Sequence, residues 1–304
     1  MNLNSCTLCP RNCGVNRNIG PAGYCNTASE IIVSRAALHY WEEPCISGSE
    51  GSGTVFFGGC NLRCVFCQNK EIITGRVGKV LSIPELSEIF LNLQSQGANN
   101  INLVTPTHFV PMIAKAIDLA RDKSLTIPII YNTGSYEKPE TLKLLEGKID
   151  IFLPDFKYFD SSLAAKFSNA PDYPKVAKKC IAEMVRQVND CTFVSYDDNA
   201  LMRKGVIVRH LVLPGHTKDS MKVIEYLYKT YGDSIYISIM NQYTPMLCKP
   251  RPLYPELTRR VTSYEYNKVV DYALELGITN AFIQEGDTQK ESFIPPFSSD
   301  ENVL

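Results

Sequence analysis

Eleven cysteines are spread unevenly along this chain of 304 residues. Three stand together in Gly58-Gly59-Cys60-Asn-Leu-Arg-Cys64-Val-Phe-Cys67, a C-x3-C-x2-C spacing directly after the apolar run Thr54–Phe57. Three thiolates on one loop can take three corners of a cubic [4Fe–4S] cluster, and the fourth iron is then open to a substrate. A structural zinc site wants a fourth ligand, and three merely buried cysteines have no need of a strand's exit loop. The two glycines allow the tight backbone path around a cluster.

Four more cysteines, Cys6, Cys9, Cys13 and Cys25, lie within twenty residues and are accompanied by Gly14, Gly20 and Gly23. In a reducing compartment such grouping argues for metal rather than disulfides. Four thiolates can bind zinc tetrahedrally or carry an additional iron–sulfur cluster, and the spacing leaves both open. Residues 1–50 read as a Cys-rich metal-binding extension, poor in large apolar side chains. Ordering each residue costs roughly 1–2 kcal/mol of backbone entropy. Burial of Leu8, Val15, Ile19 and Tyr24 at ~1.5–3 kcal/mol each cannot offset that, whereas a metal at ~10–16 kcal/mol closes most of the gap. The scattered Cys45, Cys180, Cys191 and Cys248 read as small buried hydrophobes.

The elements that must position these groups follow from periodicity. Short β-branched and aromatic runs occur at Thr54–Phe57, Ile101–Thr105, Ile127–Asn132, Ile149–Asp155, Val206–Leu213, Ile235–Met240 and Ala281–Gln284, each of strand length. Between them, Ser82-Ile-Pro-Glu85 and Thr262-Ser-Tyr-Glu265 are capping boxes that open amphipathic helices. Further helices fit Phe109–Arg121, Pro139–Leu145, Tyr173–Val188 and Ser220–Tyr231. The alternation predicts an α/β fold, a partial or full (β/α) barrel of parallel strands over residues 51–285. Active-site residues then belong at the C-terminal strand ends. Residues 286–304 read as a loosely ordered tail.

The net charge of −1 supplies no field for nucleic acid or an anionic membrane. No apolar run approaches the roughly 18 residues of a membrane span, and Met1–Pro10 lacks the pattern of a secretory signal, so a cytoplasmic location is expected.

With Phe66 just before the third cysteine, the triplet resembles the radical S-adenosylmethionine (SAM) signature, and the chain is similar to pyruvate formate-lyase activating enzyme-like proteins with a leading cysteine box. The resemblance implies that the open iron of the cluster is chelated by the amino and carboxylate groups of SAM. One electron then cleaves SAM to methionine and a 5′-deoxyadenosyl radical that abstracts hydrogen. It implies a flavodoxin or ferredoxin as electron donor and a protein or peptide substrate, as for a glycyl-radical activase. It places Phe66 against adenine and sets Asp155 and Lys157 around the methionine. It pairs Arg209 with the carboxylate, a task that suits a guanidinium. Asn132 and Thr133 end the third strand, where they can bond ribose. The alternative for Arg209 and Asp155 is a structural salt bridge. Where many family members carry Gly-Gly-Glu, this chain has Val104-Thr-Pro-Thr-His108 without an acid, so Thr105, Thr107 or a backbone carbonyl must replace it.

His108 reads as a proton donor, a substrate contact or simply a helix start. His210 points away from Arg209 on a strand and reads as a packing or surface residue. Asn241–Pro245 and Gln284-Glu285 suggest substrate contacts by their polarity at strand ends. Two other functions remain open: radical modification of a small metabolite or peptide, and a non-enzymatic iron–sulfur carrier or metal-binding module, which needs no SAM pocket.

Overall fold

The computed structural model describes residues 3–196, 199–245 and 254–284. Cys248, Glu285 and the tail 286–304 lie outside the described residues. Ten strands form one sheet: β1 (Ile31–His39), β2 (Ser52–Phe57), β3 (Lys79–Leu81), β4 (Ile101–Val104), β5 (Ile129–Thr133), β6 (Ile151–Pro154), β7 (Thr192–Tyr196), β8 (Asn199–Leu211), β9 (Tyr236–Met240) and β10 (Ala281–Ile283). The order is β10-β9-β8-β6-β5-β4-β2-β1-β3, with β7 paired to β8 as a hairpin. From β2 to β10 every neighbouring pair in that order is parallel. These seven strands are the seven apolar runs of the sequence. The order has two ends, β10 and β3, so the barrel is partial.

Three strands were not expected. β1 pairs antiparallel with both β2 and β3, so residues 31–39 are part of the main sheet although they fall inside the Cys-rich first fifty residues. A register shift between Val33 and Arg35 breaks the period-two alternation that would have marked this strand. β3 has only three residues, and β7 exists only as a hairpin partner of β8.

The helices are α1 (Pro44–Ser47), α2 (Ile83–Ser95), α3 (Val110–Asp122), α4 (Pro139–Leu142), α5 (Ser161–Ser168), α6 (Tyr173–Val188), α7 (Thr217–Tyr231) and α8 (Ser263–Glu275). Both capping boxes form. Ser82 Oγ accepts from the Glu85 N–H while Glu85 Oε2 accepts from the Ser82 N–H at 2.7 Å, and Thr262 and Glu265 repeat the exchange. The buried apolar stripe of α2 is Leu86, Ile89, Phe90 and Leu93. Each such side chain contributes about 1.5–3 kcal/mol on burial. None of the described helices is long and apolar enough to cross a membrane.

Strand alternation divides the core in two. One face, with Tyr131, Phe152, Val208 and Ile237, joins the helices in the larger cluster. The other, with Ile130, Ile151, Leu153 and Ile207, forms a smaller plug closed by Cys45 and Ile46 of α1. Two residues further along on this second face come Asn132, Asp155 and Arg209, which line a cavity instead. A packed floor beneath a polar mouth is thus dictated by period-two patterning.

His210 falls on the helix side, as its neighbour's position requires. It is buried, its Nδ1 lying 2.7 Å from the Phe156 carbonyl. Burial pushes its pKa down to about 4, below the unfolded value near 6.5. The sign follows: the contribution to stability is complete above about pH 6.5 and is lost as the pH falls towards the folded value. This one residue should cost about 2 kcal/mol of unfolding free energy between roughly pH 7 and pH 5. Denaturant titrations at both pH values should give a smaller difference for His210→Gln than for the unsubstituted protein. An equal difference would mean that His210 is not kept neutral.

Candidate functional site

The loop after β2 turns sharply to begin the cysteine triplet. Gly59 has φ +89°, and a Cβ placed there would stand 2.5 Å from Thr27 Cγ2 and 2.8 Å from the Cys25 carbonyl oxygen. Glycine is therefore required by the close approach of the N-terminal segment, a reason additional to the path around a cluster. Arg63 is left-handed at φ 53°. The backbone N–H groups of Leu62 and Arg63 both donate to Cys60 Sγ, at 3.3 and 3.5 Å. Ser168 Oγ lies 2.9 Å from Cys64 Sγ. Donors aimed at sulfur stabilise bound thiolate and tune iron–sulfur centres.

A cavity of about 220 Å³ opens above this loop. Cys60, Cys64, Cys67, Phe66, Asn132, Thr133, Asp155, Lys157 and Arg209 all line it, so the nine residues singled out from sequence for this pocket meet at one place. Thr105 and Thr107 line it too. Burial pushes the Cys60 and Cys67 thiols up, so neither is poised as a free nucleophile. Buried thiols become thiolates when a cation compensates them, which suits metal ligands. Phe66 reaches the cavity from a cage of edge-on rings, with Tyr158, Phe167 and Tyr243 centroids 6.2–6.4 Å away.

Arg209 is the hub of the polar mouth. Its Nε donates to Asp155 Oδ1 at 3.0 Å, Nη1 to Glu42 Oε2 at 3.1 Å and Nη2 to Asn132 Oδ1 at 2.6 Å. Lys157 Nζ donates to Asp155 Oδ2 at 2.5 Å. The Arg209–Asp155 salt bridge considered as an alternative to ligand binding is therefore present, inside the cavity itself. Burial alone would raise the Asp155 pKa, but Lys157 and Arg209 outweigh it and hold the carboxyl below its usual range. Burial likewise works against charge on Lys157, and Asp155 reverses it, leaving the ammonium raised.

Sequence reasoning missed Glu42 and Glu137. Glu42 lies between β1 and α1 and also accepts from Asn102 Nδ2 at 2.9 Å. Its only signal was polarity in a segment taken as part of the metal-binding extension. Glu137 follows β5 and is 1% exposed. Thr107 Oγ1 and Thr133 Oγ1 both donate to its Oε1, at 2.5 and 2.6 Å, while Oε2 has no partner. Each hydroxyl has spent its one hydrogen, so towards the cavity it offers lone pairs. The segment that lacks an acid of its own therefore has one behind it. Burial pushes the Glu137 pKa up. Thr105, a β-branched residue, sits at φ 59° and donates its N–H to the Asn132 carbonyl at 2.9 Å, a strained backbone of the kind found at ligand clamps.

The remaining predicted residues lie elsewhere. Cys6, Cys9, Cys13 and Cys25 line a second, small cavity on the far side of the Gly58–Cys60 turn, and His108 lines that cavity and not the larger one. Gln284 lines a third cavity, Gln242 lines both that one and the triplet's, and Tyr243 turns inward to donate to the Leu257 carbonyl at 2.7 Å.

Removing one member of a buried ion pair strands the other. Arg209→Leu should lower the unfolding free energy by about 3–5 kcal/mol because Glu42 is left without a cation. Arg209→Leu with Glu42→Gln should recover part of that loss in chemical denaturation. A double variant no more stable than the single would show that Glu42 is not the orphaned charge.

Comparison with known proteins gives the family and the fold. The sequence pattern described as the Radical SAM superfamily matches residues 54–227. An uncharacterized protein of Methanocaldococcus jannaschii is 30% identical over 281 residues, covering 88% of this chain and 74% of the relative. Among solved structures, Streptococcus suis SuiB bound to precursor peptide SuiA has a TM-score of 0.50 at 12% identity, covering 76% of this chain and 47% of SuiB. The FeFe-hydrogenase maturase HydG of Carboxydothermus hydrogenoformans has a TM-score of 0.51 at 11% identity, covering 83% of this chain and 63% of HydG. The chain thus spans about half of SuiB and under two thirds of HydG, and at these identities the likeness is one of fold. On the match that spans the cysteine triplet and most of the parallel strands, the chain belongs to the Radical SAM superfamily.

Proposed function

We propose that this protein cleaves SAM reductively at a [4Fe–4S] cluster held by Cys60, Cys64 and Cys67, and passes the radical to a protein or peptide partner in the manner of a glycyl-radical activase. The observation that carries the partner reading is the shape of the mouth. A cavity of about 510 Å³ adjoins the triplet's cavity and shares Trp41, Glu42, Arg209, Met240 and Gln242 with it. Among the described residues its other walls include Pro44, Ser238 and β10, the last strand in the order, and the shared Trp41 is 60% exposed. Between these described residues the mouth has room for an extended chain segment. SuiB, whose fold this chain shares, binds a precursor peptide, which supports the same reading here.

When bound, the reduced cluster supplies the electron that breaks a carbon–sulfur bond of SAM. The chain's own groups hold the cosubstrate. Arg209 keeps two N–H donors beyond those spent on Asp155, Glu42 and Asn132, and with the Lys157 ammonium it can grip a carboxylate. Thr107 and Thr133, their hydrogens spent on Glu137, present acceptors to an ammonium. Asn132 gives its carbonyl oxygen to Arg209, so its amide nitrogen is the end that donates to a sugar hydroxyl. Phe66 offers an apolar wall for adenine, and the caged ring keeps water from it. An electron carrier would need none of these groups.

Two measurements test the reading. Anaerobically reconstituted protein with a reductant should convert SAM to 5′-deoxyadenosine, and Cys60→Ala/Cys64→Ala/Cys67→Ala should abolish it; unchanged turnover in that variant would sink the cluster assignment. Incubation with extract from deuterium-labelled cells should then move deuterium into 5′-deoxyadenosine from the macromolecular or peptide fraction. Transfer from the small-molecule filtrate alone would replace the partner by a metabolite.

A further inference from the structure

The N-terminal cysteines form a built chamber that the SAM reaction does not use. Cys6, Cys9, Cys13 and Cys25 come together around one cavity of about 20 Å³ with Leu8, Val15 and His108. Each of three sulfurs has a donor turned to it or within reach. The Tyr24 N–H lies 3.4 Å from Cys13 Sγ, Thr27 Oγ1 lies 3.2 Å from Cys25 Sγ, and Arg17 Nη1 lies 3.9 Å from Cys6 Sγ.

Two independent features point to an anionic metal centre. The first is Arg17, a guanidinium 1% exposed. It donates to the carbonyls of Thr27, His108 and Ala28 and to Thr27 Oγ1, at 2.6–3.1 Å. Among the described residues it makes no ion pair. A buried cation needs a counter-charge, and a metal bound by four thiolates supplies one against its guanidinium. The second is His108, 2% exposed. Its Nε2 lies 2.7 Å from the Gly58 carbonyl, which fixes the proton on that nitrogen. Nδ1 is then a bare lone pair, buried without a partner in a side chain that lines the chamber. A backbone carbonyl that fixes the tautomer and leaves the other nitrogen unspent is the arrangement that prepares a histidine to face a metal.

The kind of centre follows from how the sulfurs stand. Zinc draws four sulfurs to about 2.3 Å from one point. Here the four cysteines, like those of the triplet, stand around a cavity. In a cubic cluster each thiolate takes its own iron, so the sulfurs stay apart with the inorganic core between them.

We infer that Cys6, Cys9, Cys13 and Cys25 hold a second iron–sulfur cluster, with His108 Nδ1 facing it. The chamber shares a wall with the first centre. His108 is bonded to Gly58, the Cys25 carbonyl abuts Gly59, Arg11 Nε donates to the Asn61 carbonyl at 2.9 Å, and Tyr24 Oη lies 3.3 Å from the Leu62 carbonyl. The back of the Cys60 loop is thus the front of the chamber.

The test counts metal in the full chain. Cys60→Ala/Cys64→Ala/Cys67→Ala, reconstituted anaerobically with iron and sulfide, should retain about four irons and four sulfides per chain and show the electron paramagnetic resonance signal of a reduced cluster. Its three substitutions leave unchanged Gly58, Gly59, Asn61 and Leu62, the residues through which the loop meets the N-terminal segment. Retention of about one zinc and no iron would overturn the inference in favour of a structural zinc. Retention of neither would show that the chamber holds no metal. The unsubstituted protein should carry about twice the iron of Cys6→Ala/Cys9→Ala/Cys13→Ala/Cys25→Ala, and equal iron in the two would also overturn it. Because the first variant lacks the cysteines of the first cluster, this outcome is independent of whether the SAM reading stands.

Discussion

One guanidinium ties the mouth of this sheet together. Arg209 at the end of β8 binds Asp155 after β6, Asn132 on β5 and Glu42 beyond β1. Those partners come from three separate stretches of chain, and the two carboxylates make the buried cation tolerable. Lys157 balances the second carboxylate, so two acids face two bases. The mouth is therefore a dense set of paired charges, and Glu43 is a further buried acid acting on Arg209.

The parallel strands were legible because each is a short β-branched run between capped helices. The inward set was legible because a period of two admits only one choice: once Ile130, Leu153 and Ile207 form the floor, Asn132, Asp155 and Arg209 must face the mouth. The triplet was legible because its spacing is local. What stayed hidden depends on contacts far apart in sequence. Glu137 reads as one more acid near a helix start, and only the fold places it behind Thr107. Glu42 gains its meaning from a partner 167 positions away. β1 was masked by its own irregularity, since the shift near Val33 puts Arg35 into what would otherwise be an apolar alternation.

The N-terminal segment shows the same division. Its cysteines raised the expectation of a metal site, but gave no sign that the segment leans on the barrel. Arg11 reaches the carbonyls of Asn61, Ser168 and Asn169, and Thr141 Oγ1 donates to the Leu8 carbonyl at 2.6 Å. The guanidinium of Arg11 also lies 3.8 Å from the Tyr24 ring centroid. These bonds offset part of the ordering cost that a small apolar content leaves uncovered. Docking onto the barrel thus carries part of the cost of ordering this segment.

Gly59 carries a consequence for how this sequence can vary. A methyl group at that position meets Thr27, the Cys25 carbonyl and the His108 ring at once, all within 3.2 Å. Loops some thirty and fifty residues away therefore share one vacancy, the missing side chain of a single residue. No one of the three can drift in shape or bulk without the others giving way. The two cysteine-bearing loops are thereby tied in shape through one residue, and bulk gained at any of these contacts has to be given up at another.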